Sequence, residues 1–279
     1  MKDRLQNSPT ADDFSDLGLW FANHEQYACS ADAYATSLQT DPAQKNAPHV
    51  IFMFGSSLYL SGDIQEAIPA FQEAERRGYK DNRLHLILAA ALDANHDSAA
   101  AEAEWRIALA FDPEITVALD ALSTDLVNDA DYAPVIDLLD KPRVQPQRTP
   151  VQCVNLAIAY ARSNKSSQAI DVLRDGLNTA PDSAAIAGQL AGLFTQSNRN
   201  QEAASVLELA LVRNPDDPHL QEAFGTVLAR LNRMPEAREH LERAIALGDT
   251  TPEAKDNLAK VLQALSIAPT NPQSPVPGP

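Results

Sequence analysis

The sequence predicts an all-α fold in which helix-turn-helix units stack into a solenoid. A spaced phrase, small-x3-large-x2-small-x4-Pro, returns at intervals of 34 residues, and self-similarity at a fixed period of this length is typical of stacked repeats. In each copy, apolar residues fall three and four apart on both sides of a short polar turn, as they do in two amphipathic helices. Alanine is abundant and only 10 residues are glycine, which favours helices.

The phrase sets the register of the repeats. Its clearest copies are Ala101, Trp105, Ala108, Pro113; Ala169, Leu173, Gly176, Pro181; and Ala203, Leu207, Ala210, Pro215. An earlier copy is Ser30, Tyr34, Ser37, Pro42, which lies two periods plus three residues before the first of these. This register divides residues 11–251 into seven predicted repeats: 11–44, 48–81, 82–115, 116–149, 150–183, 184–217 and 218–251.

The turn inside each repeat carries a second signal. A left-handed backbone position that ends a helix prefers glycine or asparagine. Gly62, Asn164, Asn198 and Asn232 occupy the same place in their repeats, and His96 occupies it in a fifth. We therefore predict left-handed turn residues at these positions, with a structural and not a ligand-binding role.

Small residues recur where the two helices of a repeat must approach closely. They are Gly18, Gly55, Ala89, Ala157, Ala191 and Gly225 on the first helices, and Ala67, Ala101, Ala169, Ala203 and Ala237 on the second. Large side chains such as Tyr34, Phe71 and Trp105 are expected to fill the gaps between units.

The repeat at 116–149 is degenerate in its second half. Leu119, Leu122 and Leu126 give its first helix a regular apolar side, but Pro134 and Pro142 interrupt the second. Because proline within a helix removes a hydrogen bond and clashes with the preceding turn, we expect this helix to start at Pro134 or later and to be short.

The two ends of the chain fall outside the repeats. Residues 1–10 are interpreted as a short N-terminal arm. Residues 252–266 read as one amphipathic helix that covers the last repeat, because a terminal repeat needs a cover with a polar outer side. Residues 267–279, IAPTNPQSPVPGP, are proline-rich without an apolar pattern and are predicted to be a disordered tail.

From about residue 11 to 265 the chain resembles the tetratricopeptide repeat family. In the first repeat the family's pattern appears as Phe14, Leu17, Gly18, Phe21, Ser30, Tyr34, Ser37 and Pro42. The resemblance implies a right-handed superhelix in which the first helix of each repeat lines a concave groove. It also implies an adaptor that holds a peptide or protein segment there. The basic residues with which some members bind chaperone tails are not matched, since Ser15, Leu19, Phe52, Ser56, Arg83 and Ile87 occupy the equivalent faces.

Charge and hydropathy exclude several classes of partner. The formal net charge of −16 argues against binding of nucleic acid, which needs clustered Lys and Arg, and makes cationic partners easier to accommodate. No run of about 18 apolar residues is present, so we expect no membrane insertion. The first ten residues lack the apolar stretch of a signal peptide. We expect a soluble, cytoplasmic protein, with the periplasm or secretion as the alternative if a signal peptide has been removed.

No motif supports catalysis. The six histidines are scattered, and neither a His-Glu-x-x-His pattern nor a glycine-rich phosphate loop is present. Cys29 and Cys153 lie more than three periods apart and are expected to be free thiols. Acidic pairs such as Asp12–Asp13 lie at helix starts, where carboxylates cap the exposed amides. The chain is thus predicted to be no enzyme and to need neither cofactor nor metal.

If the first helices line a groove, the candidate partner-binding residues are those that project from them. In the second and third repeats they are Phe52, Met53, Tyr59, Leu60, Leu86 and Ile87. Large apolar groups clustered in this way often mark a binding surface, although packing against adjacent helices or the N-terminal arm is the alternative. Further along, the candidates are Asn155, Gln189, Thr195 and Gln196. Amides can hydrogen-bond the backbone of an extended peptide; the alternative is a solvated polar surface.

The sequence therefore predicts a non-catalytic scaffold or adaptor for protein–protein interaction, which binds a protein or peptide in its groove. Two alternatives from other classes stay open. One is a structural spacer or assembly subunit that self-associates as a homo-oligomer. The other is an accessory that recruits substrate to an enzyme.

Overall fold

The computed structural model describes residues 8–141 and 144–267. Within them the chain forms fifteen α-helices, one short 3-10 helix at Gln145–Gln147 and no strand. The α-helices are α1 Ala11–Asn23, α2 Tyr27–Thr40, α3 Ala47–Ser61, α4 Ile64–Arg76, α5 Arg83–Ala94, α6 Ser98–Phe111, α7 Thr116–Asn128, α8 Tyr132–Leu139, α9 Pro150–Arg162, α10 Ser166–Thr179, α11 Ala184–Gln196, α12 Asn200–Arg213, α13 Pro218–Arg230, α14 Met234–Ala246 and α15 Pro252–Ile267. Most of the predicted N-terminal arm, Pro142, and the predicted tail beyond residue 267 lie outside the described residues.

Consecutive helices pack on one another. The chain divides into two compact units, residues 1–125 and residues 126–279. In the first unit every pair of consecutive helices from α1–α2 to α5–α6 is in contact, and in the second unit every pair from α8–α9 to α14–α15. First helices of successive repeats also touch, as α3 and α5 do in the first unit and α9, α11, α13 and α15 do in the second. The predicted all-α helical repeat solenoid is confirmed.

The turns within the repeats share one backbone geometry. The predicted left-handed residues have positive φ angles: Gly62 95°, His96 61°, Asn164 59°, Asn198 58° and Asn232 59°. After each of them, the next backbone N–H donates to a carbonyl five residues earlier. Asp63 donates in this way to Leu58 at 2.9 Å, and Lys165 to Tyr160 at 2.8 Å. The left-handed conformation predicted for these five residues is confirmed.

Two further turns adopt the same geometry, although their left-handed residues are neither glycine nor asparagine and were not predicted from the sequence. Glu25 has φ 57° and Ala130 has φ 60°. The N–H of Asp131 donates to the Leu126 carbonyl at 2.8 Å, so the hydrogen bond that closes the turn is retained. A left-handed conformation costs an L-residue roughly 1–2 kcal/mol. The stacking of the repeats therefore imposes the turn even where the residue opposes it.

Paired helices approach most closely at small residues of the first helix. A β-carbon at Gly18 would lie 2.9 Å from the ring of Tyr34 on α2. At Gly225 it would lie 2.7 Å from Cγ of Leu241 and 3.0 Å from the Ala237 carbonyl on α14. These distances leave no room for a side chain, so the small residues fix how near the large residue of the second helix can come.

Trp105 on α6 is one of the largest buried side chains, with 2% of its surface exposed. Its indole N–H donates to the carboxylate of Asp93 on α5 at 2.9 Å. A buried indole N–H needs such a partner, because an unsatisfied donor in the interior is costly. Trp105 thus joins the two helices of the third repeat by packing and by one polar contact.

The second helix of the degenerate repeat begins earlier than the sequence predicted. It is short, as expected, but α8 starts at Tyr132 and not at Pro134 or later. Pro134 lies at the third helical position, where the backbone N–H has no partner within the helix in any case. The missing donor therefore costs nothing there, and the helix can start two residues before the proline.

A polar cluster holds the segment that follows α8. The guanidinium of Arg148 donates from Nε and Nη2 to the Leu139 carbonyl, at 3.2 and 2.9 Å. Nη2 also reaches Asp140 at 3.2 Å, and the Tyr160 hydroxyl on α9 donates to the other oxygen of Asp140 at 2.5 Å. Burial and the hydrogen bond to Asp140 raise the pKa of Tyr160 to about 12. The Arg148 side chain thus replaces the helical donors that end with α8.

Replacing Trp105 with alanine removes a buried side chain and leaves Asp93 without its donor. We expect the free energy of unfolding to fall by about 3–5 kcal/mol. Urea unfolding followed by far-UV circular dichroism measures this loss. Trp105→Phe keeps most of the volume and should lose less. A loss below about 1 kcal/mol for Trp105→Ala would show that the side chain is not packed as described.

Replacing Ala130 with glycine should stabilise the protein. Glycine adopts positive φ without steric cost, so the substitution relieves strain of about 1 kcal/mol. The matched control is Ala259→Gly within α15, where glycine should instead cost about 1 kcal/mol. Thermal melts of the two variants should shift in opposite directions; a shift downward for both contradicts the assignment of the turn.

Candidate functional site

Along the first helices of the repeats, one row of side chains is left largely uncovered by the adjacent helices. On α3 the row is His49, Met53, Ser56 and Leu60, none of which is buried. The equivalent residues 34 positions later on α5 are Arg83, Ile87, Ala90 and Ala94, and none of these is buried either. On α1 the row is Asp12, Asp16, Leu19 and Asn23, all exposed. We call these positions, and their equivalents in the second unit, the open row.

The open row of the first unit contains three of the predicted site residues. Met53, Leu60 and Ile87 lie on it, and Leu60 has 54% of its surface exposed. Leu19, on α1, joins them with 47% exposed. Leu19 was not among the predicted site residues. It occupies the same repeat position as Ser56, and comparing this position across the repeats would have indicated it. These four side chains form the apolar group of the first unit.

Phe52 does not belong to this exposed surface. Only 4% of it is exposed, and its ring stacks on Tyr79 with centroids 4.4 Å apart. The ring of Phe71 lies 5.9 Å away. Phe52 lies one position before Met53, on the side of α3 that the following residues cover. The structure therefore packs Phe52 against α4 and the link that follows it, and packing against adjacent helices was the alternative that the sequence left open.

Tyr59 and Leu86 lie on the same side of their helices as Phe52, and both are partly exposed. Tyr59 follows Phe52 by two turns on α3, and Leu86 on α5 is the equivalent of Phe52 one period later. These two side chains border the open row but do not belong to it. Asp93 on this side of α5 is already engaged by the indole of Trp105.

The unit that carries the apolar group is strongly acidic. Residues 1–125 contain 20 Asp and Glu against 8 Lys and Arg, whereas the rest of the chain contains 18 against 14. Asp12 and Asp16 lie on the open row of α1. Arg83, on the row of α5, is bound to Asp81 through Nε at 2.9 Å and through Nη2 at 2.5 Å. The first unit therefore presents apolar side chains in a negative field.

The second unit differs in its chemistry. A cavity of about 310 Å³ lies between α9 and α11, lined by Ala157, Ile158, Ala161, Arg162, Gln189, Leu193 and Gln196. The structure thus brings together the predicted Gln189 and Gln196, both exposed on the open row. Sequence reasoning missed Arg162, although it precedes Gln196 by one period and Arg230 follows by another. At the row position of Leu60, the second unit carries the polar side chains Arg162, Gln196 and Arg230.

The other two candidates of the second unit are not free to bind in this way. Asn155 lies on the row of α9 but is buried, with 6% exposed. Thr195 lies beside the row, partly exposed, and its hydroxyl donates to the Ala191 carbonyl on its own helix at 2.8 Å. The cavity therefore depends on Gln189, Gln196 and Arg162.

The described residues offer little else that would define a reactive site. Cys29 is an exposed free thiol and Cys153 a buried one, and burial raises the pKa of the Cys153 thiol. In residues 8–141 and 144–267 no group of three His, Cys, Asp or Glu side chains is placed to hold a metal ion. Over the same residues no helix is both long and apolar enough to cross a membrane.

The fold and the open rows define an α-helical repeat protein. The family model of the tetratricopeptide repeat matches residues 52–114 and 154–218. These matches support the tetratricopeptide repeat family, whose members generally serve as scaffolds for protein–protein interaction and are typically non-catalytic. The family predicted from the first repeat's pattern is confirmed.

Solved structures agree on the fold. A tetratricopeptide repeat protein from Parabacteroides merdae aligns with a TM-score of 0.61 at 14% identity, over 90% of this chain and 98% of its own. The C-terminal part of a repeat protein from Cytophaga hutchinsonii reaches 0.69 at 14% identity, over 87% and 98%. YrrB, described as a tetratricopeptide repeat protein with an unusual peptide-binding site, reaches 0.52 at 18% identity, over 68% and 97%. No curated protein matches the chain in sequence.

Phe52→Ala and Leu60→Ala test whether Phe52 is packed in the interior while Leu60 lies exposed on the open row. Truncation of buried Phe52 should lower the free energy of unfolding by about 3–5 kcal/mol. The same truncation at half-exposed Leu60 should cost less than about 1 kcal/mol. Both tryptophans lie in residues 1–125, so urea unfolding followed by their fluorescence reports on this unit. Equal losses for the two variants would contradict the assignment.

Proposed function

We propose that this chain is a non-catalytic scaffold that binds a segment of a partner protein on the open rows of its first helices. The observation that carries the proposal is the apolar group of the first unit. Leu60 and Leu19 expose about half of their surfaces, at positions where the repeat geometry presents side chains outward. Burying an exposed leucine against a partner gains roughly 1.5–3 kcal/mol, so this group is the anchor for the partner's apolar residues.

The two units contribute different interactions to this function. The apolar group supplies affinity by burial, and the acids around it favour a partner segment that also carries Lys or Arg. In the second unit, the amides of Gln189 and Gln196 can donate to and accept from a peptide backbone. The guanidinium of Arg162 suits a carboxylate or a backbone carbonyl. The peptide-binding site attributed to YrrB gives this mode a precedent on a similar fold.

One observation favours self-association as a second candidate function. Val212 and Leu209 on α12 are 77% and 61% exposed, and they are three residues apart, so they lie on one side of that helix. An exposed apolar pair on a second helix would suit contact with another copy of the chain. Multi-angle light scattering over a concentration series distinguishes this candidate, because only self-association requires a defined oligomer.

Replacing Leu60 with aspartate should weaken partner binding by about tenfold or more, because it removes apolar burial and adds a charge to an already acidic surface. The partner is first captured by crosslinking and identified by mass spectrometry. Its affinity for the purified variants is then measured by calorimetry.

Leu209→Asp is the matched control, since it places the same charge on an equally exposed leucine of a second helix. The control should leave partner affinity unchanged. If Leu60→Asp has no effect while Leu209→Asp abolishes binding, the open row is not the binding surface.

A further inference from the structure

A pocket of about 470 Å³ opens on the second helices of the first unit, away from the open row. It lies between α2 and α4, with α3 contributing to its floor. Its apolar lining is Leu38, Pro42, Ile51, Phe54, Pro69 and Ala70. Its polar lining is Gln65, Glu66, Glu73 and Arg77, all at α4 or its end. We call it the α2–α4 pocket.

Proline within α4 removes one helical hydrogen bond beside this pocket. Pro69 lies in the interior of the helix and has no N–H, so the carbonyl of Gln65 lacks the donor that an α-helix would supply four residues later. Gln65 and Pro69 both line the pocket. At the equivalent place the other clear repeats carry Asp32, Ala103, Asp171, Ser205 or Glu239, each of which has an N–H. Among these repeats, only the second lacks the helical donor to this carbonyl.

Most charges at the pocket are already neutralised. Arg77 donates through Nε to Glu73 at 2.6 Å and through Nη1 to the Pro42 carbonyl at 2.9 Å. Arg76 adds a second ion pair to Glu73 at 2.5 Å. The hydrogen bond from Arg77 and the charges of both arginines lower the pKa of Glu73. Glu73 and Arg77 thus close one end of the pocket as a satisfied group.

Glu66 is different, because it forms no ion pair with a side chain in residues 8–141 or 144–267. The equivalent residues in later repeats, Glu202 and Glu236, each accept two hydrogen bonds from an arginine three positions earlier, Arg199 and Arg233. Three positions before Glu66 stands Asp63, a second acid. Among the described residues Glu66 has no ion-pair partner. The pocket therefore has an apolar floor and a rim with an excess negative charge beside a carbonyl that lacks its helical donor.

We infer that the α2–α4 pocket binds an apolar side chain from a cationic segment of a partner protein, with a neighbouring Lys or Arg bound at Glu66 and the Gln65 carbonyl. The volume accommodates a leucine or phenylalanine side chain, and the floor replaces the water around it. Glu66 and the carbonyl accept hydrogen bonds, which only a donor such as an ammonium or guanidinium supplies. The excess of acid over base in residues 1–125 attracts such a segment and repels an acidic one.

The probe is a blocked peptide, Gly-Lys-Leu-Phe-Lys-Gly, titrated into the full chain at low salt and followed by two-dimensional NMR. We expect the largest shift changes at α2 and α4. Glu66→Gln should weaken binding about threefold to fivefold, the effect of one exposed charge pair. Glu202→Gln, at the equivalent and neutralised carboxylate, should leave it unchanged. Ala70→Leu, which fills the pocket, should abolish binding if circular dichroism shows that the variant folds.

Three results would overturn the inference. One is equal binding by Glu66→Gln, Glu202→Gln and the unaltered chain. Another is equal binding of a peptide in which both lysines are replaced by glutamate. The third is that Leu60→Asp no longer binds the probe peptide, because the peptide would then bind on the open row and not in the α2–α4 pocket. Because Leu60→Asp should weaken the captured partner but not the probe, failure of this inference and failure of the proposed function are distinguishable.

Discussion

The close approach of the two helices within each repeat is the constraint on which the rest of the structure depends. At Gly18 and Gly225 the opposing side chains, Tyr34 and Leu241, leave less than 3 Å for an added carbon. This contact commits one side of each first helix to its own partner helix. The link between α4 and α5 covers a second side of α3, where Phe52 stacks on Tyr79. Only one row remains uncovered, so the surface available for function is what the packing leaves over.

The sequence was sufficient for the fold because the fold depends on periodic features. Spacing of apolar residues, small residues at fixed places and turn residues such as Asn198 repeat in phase, and several weak signals in one register give a strong one. The turns at Glu25 and Ala130 were not predictable in this way, because there the stacked helices force a left-handed residue against its preference. The backbone preference of the turn residue explains five turns. The packing of the helices on either side explains the turns at Glu25 and Ala130.

The candidate site was only partly predictable for a related reason. Helical spacing tells which residues share a side of a helix, and it grouped Phe52 with Met53 because adjacent positions lie only about 100° apart. It does not tell how far the neighbouring helix and its link extend around the first helix. That boundary falls between these two residues, since Phe52 is buried and Met53 is not. Leu19 and Arg162 could have been found by carrying each repeat position through all copies.

Repeats that share a backbone serve as controls for one another, and this makes the differences between copies interpretable. Glu66, Glu202 and Glu236 are the same residue at the same place, yet two are bound by arginines three positions earlier, whereas Glu66 has Asp63 at that position. An exposed ion pair contributes at most about 1 kcal/mol to stability, so the fold does not require the arginine. The charge at this position is therefore free to differ between repeats without loss of structure. Glu66 stands beside an apolar pocket and a carbonyl that lacks its helical donor. Binding of a cationic partner there gives a physical reason why this repeat lacks the arginine, and packing gives none.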